Sequence, residues 1–500
     1  MSDNLLSRGL NRFGYDIEFI KDTPFLTDPT DPKLPSIRIW LVAVLGITLC
    51  LTLMTTKSEV HRPDSGDARE YLELAYNIYH HGVFADRAAE MSPQPTLGRE
   101  PGYAMFLAGL LLVDSKFRKL TVYCLKSQAG CPIENYALPV WTNRALVAIV
   151  GLLVLWITAR LTGSWPAGTV AGFAIWLNTR MYKDLNYIIS EAFALFLIAL
   201  FLLLLYEAWR QRSLTAWFGA GLVFAVLTLT KTVFLYLAYL SLPLFFLVVL
   251  CKLVRSTRTQ LMYLFLAAML FGSAFSVPVG TWMHRNAQLS GIYALTDLGR
   301  AALNLKSREV YNHFSATQYA AAFVHWTRGF GDNLARELFE PEIWKPFELD
   351  NPQGFYLTSV DDFARRLSAA IQEHNASRAQ AAAIVVDELI AEILSRPIIH
   401  SFTTIPVLYR GVWVDNFAWF SFPLFIVTIW HGLRRRRWDL LLILAPSTFS
   451  LVFYSLISFN LPRYQTVAVP GLSITLAIGA TFLFRKLELR RLGHGDRLKT

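Results

Sequence analysis

Long apolar runs separated by short polar stretches dominate this chain. Runs near the roughly 20 residues that a bilayer core demands fall at about 37–56, 141–159, 166–181, 190–208, 214–230, 233–251, 261–282, 412–431, 439–458 and 465–484. This pattern predicts an all-α polytopic membrane protein, a transmembrane helical bundle of about ten spans. Two longer polar intervals break the series, at 57–140 and 283–411. In the first, Tyr71, Leu74, Ala75 and Ile78 recur at helical spacing, with Arg69, Glu70, Glu73 and Asn77 on the other face. Such a segment predicts an amphipathic helix of about four turns lying along the membrane surface and stopped at Gly82. The second interval mixes charges with helical patterns such as "AAAIVVDELIAEIL". There, Trp326, Phe330, Trp344, Phe347 and Tyr356 are expected to build a small core.

Basic residues orient the bundle. Arg210 and Arg212 follow the fourth run, Lys252, Arg255 and Arg258 the sixth, Arg434 to Arg437 the eighth, and Arg485, Lys486, Arg490 and Arg491 the tenth. Short connections on the opposite side carry only Arg180, Lys183, Lys231 and Arg463. The positive-inside bias then places both termini in the cytoplasm and both long loops outside. The expected segments are a cytoplasmic tail at 1–36, a first span at 37–56, an outer loop at 57–140 and spans two to seven at 141–282. A second outer loop follows at 283–411, then spans eight to ten at 412–484 and a cytoplasmic tail at 485–500. The opening tail carries Leu5, Leu6, Leu10, Phe13 and Ile17 among polar residues, a weakly amphipathic pattern suited to the membrane surface. The first apolar run begins too far along the chain to be a cleavable signal.

Composition agrees with the pattern: 54% of the residues are hydrophobic and 17% charged, against about 25% charged in soluble domains. The net charge of +10 is explained by basic span ends facing anionic lipid, so no nucleic-acid partner is expected. Span interiors hold almost no ionisable groups, which counts against an ion-coupled transporter. Cys50 and Cys251 fall in or beside spans, whereas Cys124 and Cys131 share the first outer loop in "CLKSQAGC". An oxidising exterior favours a disulfide between that pair, with two free thiols as the alternative.

The chemistry-bearing candidates gather on the outer side: Asp64, Asp67, Arg99, Glu191, Lys231, His284, Arg285 and Arg463. Asp67, with Glu70 three residues on, also fits a helix cap, and Asp64 a turn after Pro63. Glu191 fits a first-turn carboxylate following Ser190. The basic residues fit side chains snorkelling at span ends. His61, His80, His81 and His284 do not form a zinc-site spacing, and no obligatory metal or cofactor is expected.

The stretch "GDAREYLELAYNIYHHGVF", followed by "GREPGYAMFLAGLL", resembles the first outer loop of the GT-C glycosyltransferase superfamily. The branch is that of bacterial protein O-mannosyltransferase-like enzymes and lipid A aminoarabinose transferases. Asp67, Tyr71, Arg99, Pro101 and Tyr103 occupy the places of that loop's Asp, Tyr, basic residue, proline and aromatic. "YIISEAFALFLIAL", "PVGTWMHRNAQLSG", "SRPIIHSFTTIPVLYRGVW" and "NLPRYQTVAVPGL" resemble later family elements in family order. Lys231-Thr232, in "LTLTKTVFL", stands where the family has Arg-Pro, and the cysteine loop has no counterpart there.

The resemblance implies a GT-C-type bundle and an inverting transfer of one monosaccharide from a polyprenyl-phosphate donor. The receiver would be a hydroxyl of a glycan, lipid or protein acceptor at the outer face. A bacterial inner membrane with a periplasmic active site suits this reading, and membrane lipids and the two substrates are the expected partners. Asp67 is the expected base, Asp64 its substitute, and Glu191 a second acidic group. Arg285, Arg463, Lys231 and Arg99 are the expected phosphate ligands. Tyr71, Tyr103 and Tyr464 are expected at the substrates. The alternatives are a polymerase or ligase using a lipid-diphosphate oligosaccharide, and a sugar-lipid transporter.

Overall fold

The computed structural model describes residues 36–57, 62–89, 91–127, 129–241, 243, 258–296, 303–304 and 315–495. The described chain is all helix and loop. Helices α1 (Ile37–Lys57), α2 (Asp67–His81), α3 (Pro101–Val113), α4 (Val122–Lys126), α5 (Ala137–Thr162) and α6 (Trp165–Trp176) come first. Helices α7 (Glu191–Gln211), α8 (Leu214–Thr230) and α9 (Arg258–Ser290) complete the amino-terminal bundle. The second polar interval folds as α10 (Ala316–His325), α11 (Gly331–Leu338), α12 (Pro341–Trp344), α13 (Phe355–His374), α14 (Arg378–Ser395) and α15 (Pro397–Val412). The chain closes with α16 (Ala418–Arg435), α17 (Trp438–Ile457) and α18 (Val469–Gly495).

Among the described residues, six helical stretches are long and apolar enough to cross a membrane: Ile37–Thr56, Ile133–Thr162, Glu191–Gln211, Arg258–Ser290, Trp438–Ile457 and Pro462–Phe484. The protein is thus a polytopic integral membrane protein. Two of the ten expected spans, at 166–181 and 412–431, take other bounds. The run at 166–181 ends early as α6, of 12 residues. Its end is tied elsewhere: Asn178 Nδ2 donates to the Val414 carbonyl at 3.2 Å, and Asn416 Nδ2 to the Leu177 carbonyl at 3.1 Å. The run at 214–230 is helical over its expected length, as α8, of 17 residues. The run at 412–431 becomes a helix only from Ala418, because the Asp415 carboxylate accepts from Phe417 N at 3.0 Å and Ser421 Oγ at 2.5 Å, fixing a turn between α15 and α16. Of the run at 233–251, residues 242 and 244–251 lie outside the described residues, as do the amphipathic tail opening, His61, Cys251, Lys252 and Arg255.

Two packing features position the site. Helices α7 and α8 are joined by a turn of Arg212 and Ser213, with Ser213 Oγ accepting from Ala216 N at 3.2 Å. They pack along each other in opposite directions, so the start of α7 and the end of α8 share one end of the bundle. Helix α3 approaches that same end: a Cβ on Gly102 would stand 2.4 Å from Thr230 Oγ1 and 3.0 Å from the Leu229 carbonyl oxygen. Small residues permit this backbone approach in a medium where helix association rests on close packing.

Helix α2 packs on α3, burying Ala68, Tyr71, Leu72, Leu74 and Ala75. Gly82 ends it in the left-handed region, φ +66°. Asn77, expected on the polar face, is fully buried instead. Its Nδ2 donates to the carbonyls of Ala85 and Arg87 at 2.9 and 2.8 Å, and its Oδ1 accepts from Ala89 N, so it shapes the loop that follows. In the second polar interval Trp326, Trp344 and Phe347 form a core with Phe459 and Leu461, and Tyr356 packs at its edge. Phe330 does not join it and is 53% exposed.

Candidate functional site

The cluster begins where α2 begins. Gly66 occupies the N-cap with φ +57° and contributes no side chain, so Asp67 is the first helical residue and not the cap. The expected capping box is absent because both carboxylates turn to cations from other elements. Asp67 Oδ1 accepts from Arg99 Nη2 at 2.9 Å, and Asp67 Oδ2 from Arg463 Nη2 at 3.2 Å. Glu70 Oε2 accepts from Arg99 Nε at 2.6 Å. Burial alone would push the Asp67 carboxyl up; the guanidinium charges of Arg99 and Arg463 outweigh it and hold the group below the ordinary carboxylate range.

Helix α7 supplies Glu191 at its first position, and the residue ending α8 supplies Lys231. Their side chains pair, Nζ to Oε1, at 3.2 Å. One residue on, Thr232 Oγ1 donates to Glu100 Oε1 at 3.0 Å. Glu100 precedes α3, next to Arg99. Tyr464 follows Arg463 and stacks on Tyr454, ring centroids 5.6 Å apart. Beneath the ion pairs lies an aromatic floor. Arg99 sits over the Tyr71 ring at 5.4 Å, and Tyr71 meets Tyr103 edge to face at 5.2 Å. The Tyr71 hydroxyl reaches Ser190 Oγ at 3.4 Å, and Tyr103 reaches Asn143 at 3.5 Å. Burial raises the Tyr71 phenol well above its usual value, so it stays protonated and acts as a hydrogen-bond donor.

Asp64 stands apart from this group. It is 2% exposed. Arg62 grips it with two bonds, at 3.0 and 3.2 Å, and Tyr136 Oη and Cys131 N donate to it at 2.9 and 3.2 Å. Burial would raise its carboxyl, but these bonds hold it low. Cys124 and Cys131 are joined by a disulfide, with Cα atoms 4.7 Å apart. Gly130, at φ +67°, lets that loop lie against the cage, since a Cβ there would fall 2.2 Å from both Arg62 Nη2 and Asp64 Oδ2. Asp64 therefore holds the cysteine loop in place, and every oxygen that could take a proton is already engaged.

Arg285 is also placed elsewhere. Near the end of α9, it donates to the carbonyls of Thr96 and Phe84 at 2.9 and 3.3 Å and to Asn286 Oδ1 at 2.8 Å. Its guanidinium lies over Trp282 at 4.7 Å and Phe84 at 5.6 Å. It clasps the loop between α2 and α3. The neighbouring His284 is exposed and bonds Gln288 at 3.2 Å.

Glu100, Thr232, Glu70, Tyr454 and Tyr356 belong to the neighbourhood and were not among the site residues expected from the sequence. Tyr356, at the start of α13, lies close enough to feel the charges of Asp67 and Arg463, which carries the second polar interval up to the site. A carboxylate adjoining Arg99 was the available signal for Glu100. No group of three or more His, Cys, Asp and Glu side chains suited to a metal ion occurs among the described residues.

No family model and no curated protein matches the sequence. Similar solved structures exist. One is the oligosaccharyltransferase AglB from Archaeoglobus fulgidus, in complex with an inhibitory peptide and a dolichol-phosphate. It is 15% identical, with a TM-score of 0.45 over 92% of this chain and 52% of that one. Another is ArnT from Cupriavidus metallidurans bound to undecaprenyl phosphate, 15% identical, with a TM-score of 0.37 over 88% of this chain and 78% of that one. The same ArnT in the apo state is 13% identical, with a TM-score of 0.36 over 87% and 77%. The chain thus spans about half the length of the archaeal oligosaccharyltransferase.

Proposed function

We propose that this protein is an integral-membrane glycosyltransferase that moves a monosaccharide from a polyprenyl-phosphate donor to an acceptor hydroxyl at the outer face of a bacterial inner membrane. One observation carries the reading. Asp67, Arg99, Glu191, Lys231 and Arg463 come from remote parts of the chain, yet pair at one end of an apolar helical bundle. A lipid-linked phosphate with its tail between helices would meet cations at that level. Arg463, Lys231 and Arg99 can hold the phosphate and stabilise the charge that grows as its bond to the sugar breaks. A carboxylate of the cluster takes the acceptor's proton, and a single in-line displacement inverts the anomeric centre. Tyr71 and Tyr103 form the floor below Arg99, while Tyr464 flanks Arg463 where the sugar would sit.

Charge favours a monophosphate over a diphosphate donor. Three cations, Arg99, Lys231 and Arg463, face four carboxylates, Asp67, Glu70, Glu100 and Glu191. A site with no surplus of cations accommodates one added negative charge more readily than two or three. Two measurements test the reading: binding of undecaprenyl phosphate to the purified chain in nanodiscs, and mass spectrometry of surface glycans and lipid A with and without the gene. A chain that does not bind the carrier, and whose loss leaves every glycan unchanged, is not such an enzyme.

A further inference from the structure

Resting on the glycosyl-transfer reading, we infer that Glu100, and not Asp67, takes the proton of the acceptor hydroxyl. The four carboxylates of the cluster differ in what holds them. Both Asp67 oxygens accept from guanidinium groups, at 2.9 and 3.2 Å. Glu70 is gripped by Arg99 Nε at 2.6 Å, and Glu191 by Lys231 Nζ at 3.2 Å. A carboxylate in an ion pair is a poor base, because accepting a proton discards the pair. Glu100 forms no ion pair among the described residues. Its partner is the neutral Thr232 hydroxyl, a bond that survives protonation of the free oxygen.

Placement agrees with chemistry. Gly102 brings α3 against the end of α8, which sets Glu100 beside Thr232 and one residue from the Lys231–Glu191 pair. The charge of Glu100 reaches the Tyr71 phenol on the floor of the cluster. It therefore lies on the same face as Arg99 and Arg463, where donor phosphate and acceptor would meet. In the step, the acceptor O–H bond breaks and its proton passes to the free carboxylate oxygen of Glu100. The acceptor oxygen forms the new bond to the sugar's anomeric carbon. The bond from that carbon to the phosphate oxygen breaks, and its electron pair leaves with the polyprenyl phosphate. Asp67 in this scheme is a positioning residue that aligns Arg99 and Arg463.

The test uses the full chain in two assays. Undecaprenyl phosphate is the binding probe for purified protein in nanodiscs. Transfer is the gene-dependent glycan made per unit of protein in a deletion strain complemented with each variant. Glu100→Gln keeps an acceptor for Thr232. It is expected to bind the carrier and melt as wild type does while losing about 10²–10⁴ in transfer. Glu100→Asp should recover part of that loss, which a purely structural role would not require. Transfer by Glu100→Gln within a few-fold of wild type overturns the proposal. So does an equal fall in carrier binding and thermal stability that Glu100→Asp shares. If wild type neither binds the carrier nor alters any glycan, the underlying reading fails and this assignment falls with it.

Discussion

Asp64 and Asp67 are three residues apart, and each is held by arginine, yet they sit in opposite kinds of site. Asp64 is closed in by neighbours from its own loop region, Arg62, Cys131 and Tyr136, and is nearly inaccessible. Asp67 keeps 39% of its side chain exposed, and Arg99 and Arg463 reach it from positions 32 and 396 residues away. A closed cage uses a carboxylate to fix backbone. An open cluster assembled from distant elements leaves its charges available to a ligand. What separates structural acid from working acid here is not residue type or helix position but which partners remain exchangeable.

Among variants that tell the two aspartate sites apart, removing a cation from the open cluster should have the largest effect. Arg463→Ala is expected to weaken undecaprenyl phosphate binding and to lower transfer by about 10²–10³, the usual loss for one preorganised donor. Wild-type transfer at limiting donor would show that Arg463 is not a phosphate ligand. Next is Asp67→Asn, which keeps size but loosens both arginines. Transfer should fall by about 10–10², with the melting temperature falling less than in Asp64→Asn, since the pairs lost are partly exposed and no cap is lost. A loss larger than that of Glu100→Gln would return the base to Asp67.

The closed cage should answer in stability. Asp64→Asn places an amide among donors that already point at a carboxylate, at a cost of about 1–3 kcal/mol. Thermal unfolding in detergent should show it, while transfer at permissive temperature stays near wild type. A thermally normal Asp64→Asn would contradict the cage. The smallest effect is in acid. Both aspartates have folded-state carboxyls held below their ordinary value. Their stabilisation is thus complete above about pH 4 and is lost as pH falls through the depressed range. Melting temperature should be flat from neutrality to about pH 5, then fall, and Asp64→Asn should flatten that fall.

The sequence reached some of this directly. Apolar runs located the long helices, and helical spacing with Gly82 located α2 and its stop, because local periodicity decides both. Sidedness grouped Asp67, Arg99, Glu191, Lys231 and Arg463, since positive-inside counting needs only the order of spans. Lateral position was out of reach. Arg285 and Arg463 were both expected on the outer side, and only packing tells that one clasps a loop while the other meets Asp67. Asn77 read as solvent-facing because its partners, the carbonyls of Ala85 and Arg87, leave no mark on periodicity. Glu100 was overlooked because its standing depends on the missing Cβ of Gly102 and on Thr232, far along the chain. The cage and the cluster also look alike in one dimension, as an acid near the start of a helix.

The clasp made by Arg285 has a mechanical side. Helix α9 runs for 33 residues, a rod of about 50 Å at 1.5 Å per residue. Near one tip it grips the carbonyls of Phe84 and Thr96, on the segment that leads to Arg99 and Glu100. A few degrees of tilt about the middle of such a rod swing its tip by an ångström or more. A mismatch between the apolar length of this helix and the bilayer, which helices relieve in part by tilting, would thereby bear on where Arg99 and Glu100 stand.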